Sequence, residues 1–366
     1  LLAFGAAWMT DLVLTSSSAP ADNIAQLLWV QSLEWGYYKH PPLPTWLLRL
    51  PVAMFGRHVA TSYLMAACMN LASMALLWRL LALLRGKAFA TVGLLAALCV
   101  SYYNARFLVY NHNTVLMLVA TASALLSWRA CSTGLLRWWT ALGLVLGLGL
   151  LTKYQIAITM VSILVFWLSQ RLWTDVRQRR GVLIAGLVAL CLFVPHLRWL
   201  QTHDFGPIGY AISTSLGAHL GPWDRVGNAG NWLADQVFNR ALPAWLMLIA
   251  LAALRPRTAD RPTTAPKDDP AIRAFLLIWG LLPLVQVSLI GLFAGSELVL
   301  AWGFPYLLFT VAAVMELAGN RRFWSTIPAS LVWSLFLIVP ALILTLSVLT
   351  SASGPIALRD QHWRKF

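Results

Sequence analysis

Glu34-Trp35-Gly36-Tyr37-Tyr38-Lys39-His40-Pro41-Pro42-Leu43-Pro44-Thr45-Trp46 is the stretch that decides how the chain is read, with Asp22 twelve residues ahead of Glu34. It sets an acid, a base, an imidazole and two tyrosines beside a rigid proline pair, while most of the remaining sequence is apolar enough for lipid. Proline has no backbone N–H and steers the residue before it away from helix, so Lys39 and His40 are expected on an extended turn. Taken alone, the stretch fits either a polar loop between two spans or a site at the membrane surface.

Only 11% of the residues are charged and 59% are hydrophobic, whereas soluble domains carry roughly 25% charged residues; a soluble enzyme is excluded. The mean hydropathy of +0.70 agrees. Runs at 182–200, 275–293 and 331–349 approach the roughly 20 apolar residues that cross a bilayer. The 19 tryptophans fit rings gathered at two water–lipid interfaces. The expected fold class is therefore all-α: one polytopic transmembrane helical bundle over 1–366. Cys68, Cys99, Cys131 and Cys191 sit in or at the ends of apolar runs without metal-ligand spacing, so small buried thiols are expected and no disulfide. The sequence opens on Leu1 rather than Met and is expected to begin inside a longer product.

Eleven spans are expected, at about 1–15, 58–84, 88–103, 107–128, 136–151, 154–170, 181–200, 241–254, 272–294, 302–318 and 325–349. With the first residue in the cytoplasm, the inner connections hold 16 of the 27 Lys and Arg against five acids, and the outer ones hold eleven against eight. Basic flanks prefer the cytoplasm, so this orientation is favoured and the net charge of +14 is a topology signal; no nucleic-acid partner is expected. It leaves 16–57 and 201–240 as outer loops, with a short outer turn at Tyr102–Arg106 leading into Asn111-His112-Asn113, and 255–271 as a solvated inner linker. A short helix at Ile24–Leu33, capped by Asp22 or Asn23, is expected in the first loop, and Gly206-Pro207, Gly221-Pro222 and Gly227 are expected to mark turns in the second. All seven histidines fall in outer segments or near outer span ends, which points to chemistry on that side.

This combination resembles the polyprenyl-phosphate-dependent glycosyltransferases of the GT-C fold, and more closely bacterial glycosyltransferase family 39, which is related to protein O-mannosyltransferases and the lipid A aminoarabinose transferase. The residues that carry the resemblance are Asp22-Asn23, the Trp35–Leu43 run, Gly149-Leu150-Leu151-Thr152-Lys153-Tyr154, Pro195-His196-Leu197-Arg198-Trp199 with His203-Asp204-Phe205, and Trp302-Gly303-Phe304-Pro305. They run in the family's order from about residue 20 to 310. Three carboxylates of the pattern are absent: Asn23 stands for the second acid, Lys39 for the acid before His-Pro-Pro, and Asn111-His112-Asn113-Thr114 for a Pro-Asp-x-Pro. In the lipid A enzyme the residue at the Lys39 position helps hold a divalent cation, which a lysine cannot do. The resemblance implies a GT-C bundle of about eleven spans, with short amphipathic helices in the first outer loop, in a bacterial inner membrane and with its site facing the periplasm. It also implies a polyprenyl-phosphate sugar donor, a lipid or glycan acceptor, and transfer by inverting displacement at the anomeric carbon.

That displacement needs a base or acceptor-positioning group, for which Asp22 is the candidate, and cations or donors for the leaving phosphate, for which Lys39, His40 and Lys153 are candidates. Each has a plainer reading: Asp22 as a helix cap, Lys39 as a snorkelling side chain, and Lys153 as a lysine at an outer turn. Lys153 breaks two apolar runs with no acid near it in sequence, which is costly unless it meets water, a carbonyl or an anion. Arg106 is a weaker phosphate candidate; His112, Asn113 and Glu297 are candidates for sugar hydroxyls; Tyr37, Tyr38, Tyr154 and Trp302 complete the binding set as candidates for sugar or phosphate contact. Asp22, Lys39, His40 and Lys153 are expected to line one cavity. The competing class is a non-catalytic homologue or a flippase of lipid-linked sugars; a transporter places polar groups at mid-membrane depth, whereas here they crowd the outer ends.

Overall fold

A computed structural model describes residues 1–15, 19–105, 107–254, 269–319 and 321–353, and every regular element among them is helical. The expected first outer loop follows α1 (Leu2–Thr15) and carries α2 (Ala21–Trp29) and α3 (Leu43–Phe55). Then come α4 (Val59–Arg85), α5 (Lys87–Leu98), the single turn α6 (Tyr102–Ala105), α7 (His112–Thr133), α8 (Leu136–Leu150) and α9 (Ile156–Ser169). The second half holds α10 (Val176–Thr202), α11 (Gly206–Ala211), α12 (Pro222–Ala234), α13 (Leu242–Ala253), α14 (Pro270–Ala294), α15 (Leu307–Ala318), α16 (Arg321–Ser325) and α17 (Ala329–Ser353).

Eleven of these helices overlap the eleven expected segments, with shifted ends. Among the described residues α4, α7, α10 and α14 are long and apolar enough to cross a membrane, and a fifth span is reached if α12–Arg240 and α13, bent by 50°, count as one. α5, α8, α9 and α15 are shorter; the twelve residues of α5 rise only about 18 Å, less than the roughly 30 Å hydrocarbon core. α7 starts five residues later than expected because Asn111 caps it, accepting from the Asn113 and Thr114 amides at 2.9 and 3.1 Å, and Gly134 ends it in the left-handed region. The Gly-Pro pairs at 206 and 221 open α11 and α12, where proline at the first position lacks only an amide that is orphaned anyway, and Gly227 lies inside α12. Of the expected inner linker, 255–268 lies outside the described residues, and Asp269 caps α14 by accepting from the Ala271 amide. Cys99 and Cys131 are buried as expected, but Cys68 and Cys191 are exposed on α4 and α10.

Small residues set the packing that matters for the site. A Cβ at Gly143 or Gly147 of α8 would come within 2.8 or 3.2 Å of Ala185 or Ala189 Cα on α10, so this Gly-x-x-x-Gly ridge lets the two backbones touch. A Cβ at Gly149 would meet the Ile156 side chain at 2.5 Å, which closes α8 tightly onto α9 and turns the chain at Lys153. At the opposite end, the Arg85 guanidinium grips the Glu316 carboxylate with both side chains buried, joining two residues assigned by sequence to the inner side.

Candidate active site

The Tyr37–His40 segment is a tight turn, with Tyr37 N donating to His40 O at 3.0 Å and His40 N to Tyr37 O at 3.2 Å, so Tyr38 and Lys39 stand at its tip. The prolines that follow seat it. Leu43 N donates to Leu151 O at 2.8 Å, tying the start of α3 to the end of α8, and Tyr110 donates its hydroxyl to Pro44 O at 2.6 Å. A chain of side chains runs beneath: Thr45 donates to Gln26 Oε1 at 2.8 Å, and His112, buried, meets Pro41 O at 3.2 Å through Nε2 and the Gln26 amide at 3.5 Å through Nδ1. With a carbonyl on Nε2 and an N–H facing Nδ1, the fitting tautomer is neutral and protonated at Nε2. From the far side, His196 of α10 joins Trp35 O and the Tyr154 hydroxyl, the latter at 2.8 Å, and a Cβ at Gly36 would lie 2.3 Å from the Trp199 ring.

These ties bring Asp22, Lys39, His40, His112, Asn113 and Lys153 around one cavity of about 100 Å³, together with Gln26, Trp29, Asn111 and Tyr210. Asp22 is no cap: α2 begins three residues earlier than expected, Pro20 precedes it, and the Asp22 carboxylate is exposed and accepts from Asn111 Nδ2 at 2.8 Å. Asn23, at the second acid of the resembling pattern, is fully buried; it donates to Ser62 Oγ at 2.9 Å and Leu108 O at 3.0 Å and accepts from Tyr110 N at 3.0 Å. Two of those contacts need an N–H, which accounts physically for an amide there.

Lys153 donates to Asn113 Oδ1 at 2.7 Å. Burial pulls its ammonium down to about 8, and the Asp22 charge acts against that shift. His40 is pushed down to about 3 by burial and then by Lys153 and Lys39, so at neutral pH it is a neutral donor or acceptor. Its ring lies 4.0 Å from that of His112, centroid to centroid. Lys39 has no carboxylate partner among the described residues; its Nζ stands 5.3 Å from the centre of the Tyr210 ring.

Other expected binding residues lie elsewhere. Tyr37 is buried, stacked on Trp29 at 5.3 Å, with its hydroxyl donated to Ser32 O, so it supports the turn and offers no sugar platform. Tyr38 is exposed beside Tyr210, and Tyr154 is spent on His196. Glu297 lies outside the cavity lining with its backbone paired to Ser215, and the Trp302 carbonyl accepts from Gln155, also away from the cavity. Arg106 lies outside the described residues. His203 and His219 are exposed and His58 precedes α4; they do not join the cavity. Sequence reasoning missed Tyr210, Gln26, Trp29 and Asn111. The Asn111-x-x-Thr114 cap pattern marked the last of these; nothing local marked Tyr210.

The divalent cation that the resemblance implies does not fit this lining. Two ammoniums face the cavity, both His112 nitrogens are engaged, and only Asp22 and His40 remain as ligands. Among the described residues no three His, Cys, Asp or Glu side chains gather in a metal-binding group.

A family model described as dolichyl-phosphate-mannose-protein mannosyltransferase matches residues 39–199. The lipopolysaccharide core galacturonosyltransferase RgtA of Rhizobium johnstonii is 29% identical over an alignment of 330 residues that covers 85% of this chain and 64% of that protein. The crystal structure of ArnT from Cupriavidus metallidurans bound to undecaprenyl phosphate superposes with a TM-score of 0.66 at 17% identity, over 95% of this chain and 63% of that one. The fold is GT-C, that of ArnT. The apo form of the same ArnT gives 0.65 at 16% identity, over 95% of this chain and 64% of that one. The GT-C chain described here thus spans just under two thirds of the length of these relatives. Its apolar helices make it a multi-pass membrane protein.

Proposed function

We propose that the chain transfers a sugar from a polyprenyl-phosphate donor to a lipid or glycan acceptor on the periplasmic face of a bacterial inner membrane. The observation that carries this reading is the convergence of Asp22, Lys39 and Lys153 on one cavity, from segments far apart in the sequence. In the reaction the acceptor oxygen attacks the anomeric carbon from the face opposite the phosphate. The carbon–oxygen bond to phosphate breaks, its electron pair stays on the phosphate, and Asp22 takes the hydroxyl proton or orients it.

The donor phosphodiester carries one negative charge and the departing monoester gains a second. Ammonium groups from Lys39 and Lys153 therefore bind the transition state more tightly than the ground state, which is what accelerates a reaction. Neutral His40 supplies a hydrogen bond and no charge. Exposure leaves the Asp22 carboxylate open to an incoming acceptor, and its bond to Asn111 fixes its direction. The names of the relatives support glycosyl transfer, and RgtA's adds a lipopolysaccharide acceptor as one instance of the class. Mass spectrometry of lipid A and surface glycans, with and without the gene, tests the reading: one glycosyl residue must disappear on deletion and return with wild type but not with Asp22→Asn.

A further inference from the structure

We propose that Tyr210 is a positioning residue for the donor phosphate: its ring holds the Lys39 ammonium inside the cavity without neutralising it. This rests on the phosphate-binding role given to Lys39 above.

A lysine at the tip of a tight turn ordinarily swings out to water. Here its Nζ sits over the Tyr210 ring, and no carboxylate among the described residues pairs with it. The face of an aromatic ring attracts a cation through its quadrupole but bears no net charge. The ammonium is thus held and keeps its full charge for an incoming phosphate. A carboxylate in the same place would hold it equally well and cancel it. Lys153, by contrast, is fixed by the neutral oxygen of Asn113. Both cavity cations are therefore held by uncharged partners, with Asp22 as the one carboxylate in the lining.

The backbone that delivers Tyr210 is unusual. Asp204 and Phe205, consecutive residues with side chains, both adopt left-handed φ values of 50° and 51°. This reverses the chain after α10, so that α11 runs back over the Tyr37–His40 turn and a Cβ on Gly206 would be 3.9 Å from Tyr38 O. α11 passes into a wide π turn at Ile212–Leu216, pinned where Glu297 N donates to Ser215 O at 3.1 Å. Left-handed side-chain-bearing residues and π turns persist where the surroundings hold them, and they cluster at functional sites. Tyr210 is the residue by which this segment enters the cavity lining, and its ring also edges Tyr38 at 5.6 Å and His40 at 6.2 Å.

The test measures binding of undecaprenyl phosphate to the purified chain in lipid nanodiscs. Tyr210→Phe keeps the ring face and is expected to bind within about threefold of wild type. Tyr210→Leu is expected to weaken binding roughly five- to thirtyfold, the range of a partly desolvated cation–π contact. Pentafluorophenylalanine at 210, which keeps the shape and removes the negative ring face, should weaken it to the same degree, and it serves alone if the leucine variant does not insert. In a Lys39→Met background the leucine change should add nothing. Wild-type affinity for the fluorinated ring, or a leucine effect that persists without Lys39, overturns the proposal. Wild-type affinity in Lys39→Met overturns the phosphate role itself, a separate failure.

Discussion

Replacing Lys153 by Met separates a binding role from a structural one, because only the structural role predicts a large loss of stability. The ammonium's fall from 10.5 to about 8 on burial means that the fold opposes its charge by about 3 kcal/mol, at roughly 1.4 kcal/mol per tenfold change. Methionine removes that penalty and leaves the Asn113 oxygen without its donor, which costs about 1–3 kcal/mol. The two nearly cancel, so the melting temperature of Lys153→Met should stay within about 5 °C of wild type. Transfer should not survive: loss of a buried charge-assisted contact to phosphate costs about 2–5 kcal/mol, or roughly 30- to several-thousand-fold in kcat/KM for the donor. The pH profile adds a sign. Lysine is charged below its pKa, so wild-type kcat/KM should fall as pH rises through about 8, with Asp22, Lys39, His40, His112 and Tyr210 as the titratable groups sharing its cavity. Arginine stays protonated, so Lys153→Arg should flatten that limb whatever its absolute rate. Turnover of a purified polyprenyl-phosphate sugar in nanodiscs, followed by scintillation alongside a melting scan, reads all three quantities. Activity of Lys153→Met within threefold of wild type would refute the phosphate role, and a collapse in melting temperature would show that the lysine is structural.

Asp22→Asn should abolish transfer and leave stability unchanged, since the side chain caps nothing and the amide oxygen can still accept from Asn111; turnover within a few-fold of wild type returns Asp22 to a bystander. Asn23→Asp removes two buried donors and should lower stability by about 2–4 kcal/mol, read as a drop in melting temperature; an unchanged melt contradicts the clamp seen around Ser62 and Leu108. Native activity should withstand exhaustive EDTA, and Lys39→Glu should weaken donor use by reversing a charge at the cavity wall. Loss on chelation with recovery in zinc, magnesium or manganese would show that the cation argument is wrong.

The helical bundle was legible because lipid demands long apolar runs. Asp22, Lys39, His40 and Lys153 stood out as polar groups in a sequence that otherwise shuns them. Tyr210 did not, since an aromatic residue in an outer segment looks like every other interface aromatic; only the reversal at Asp204–Phe205 gives it a purpose. Tyr37 misled for the same reason: the Trp-Gly-Tyr-Tyr run does not say which ring faces inward, and the pairing of Tyr37 with Trp29 decides it. The α7 boundary was missed because hydropathy runs on through 107–111, whereas the helix starts where Asn111 can satisfy its first amides.

Gly36 has no room for a side chain because the Trp199 ring fills the place where one would go. Trp199 closes the segment matched by the mannosyltransferase family model and Gly36 lies just ahead of its start, yet a side chain at 36 requires a smaller residue at 199. A larger residue at 36 and a smaller one at 199 should therefore be introduced together, since the first alone would push the tip of α10 away from the turn it packs against. The stretch beyond Phe205, which touches the cavity through Tyr210, lies outside that matched segment and is free of this constraint.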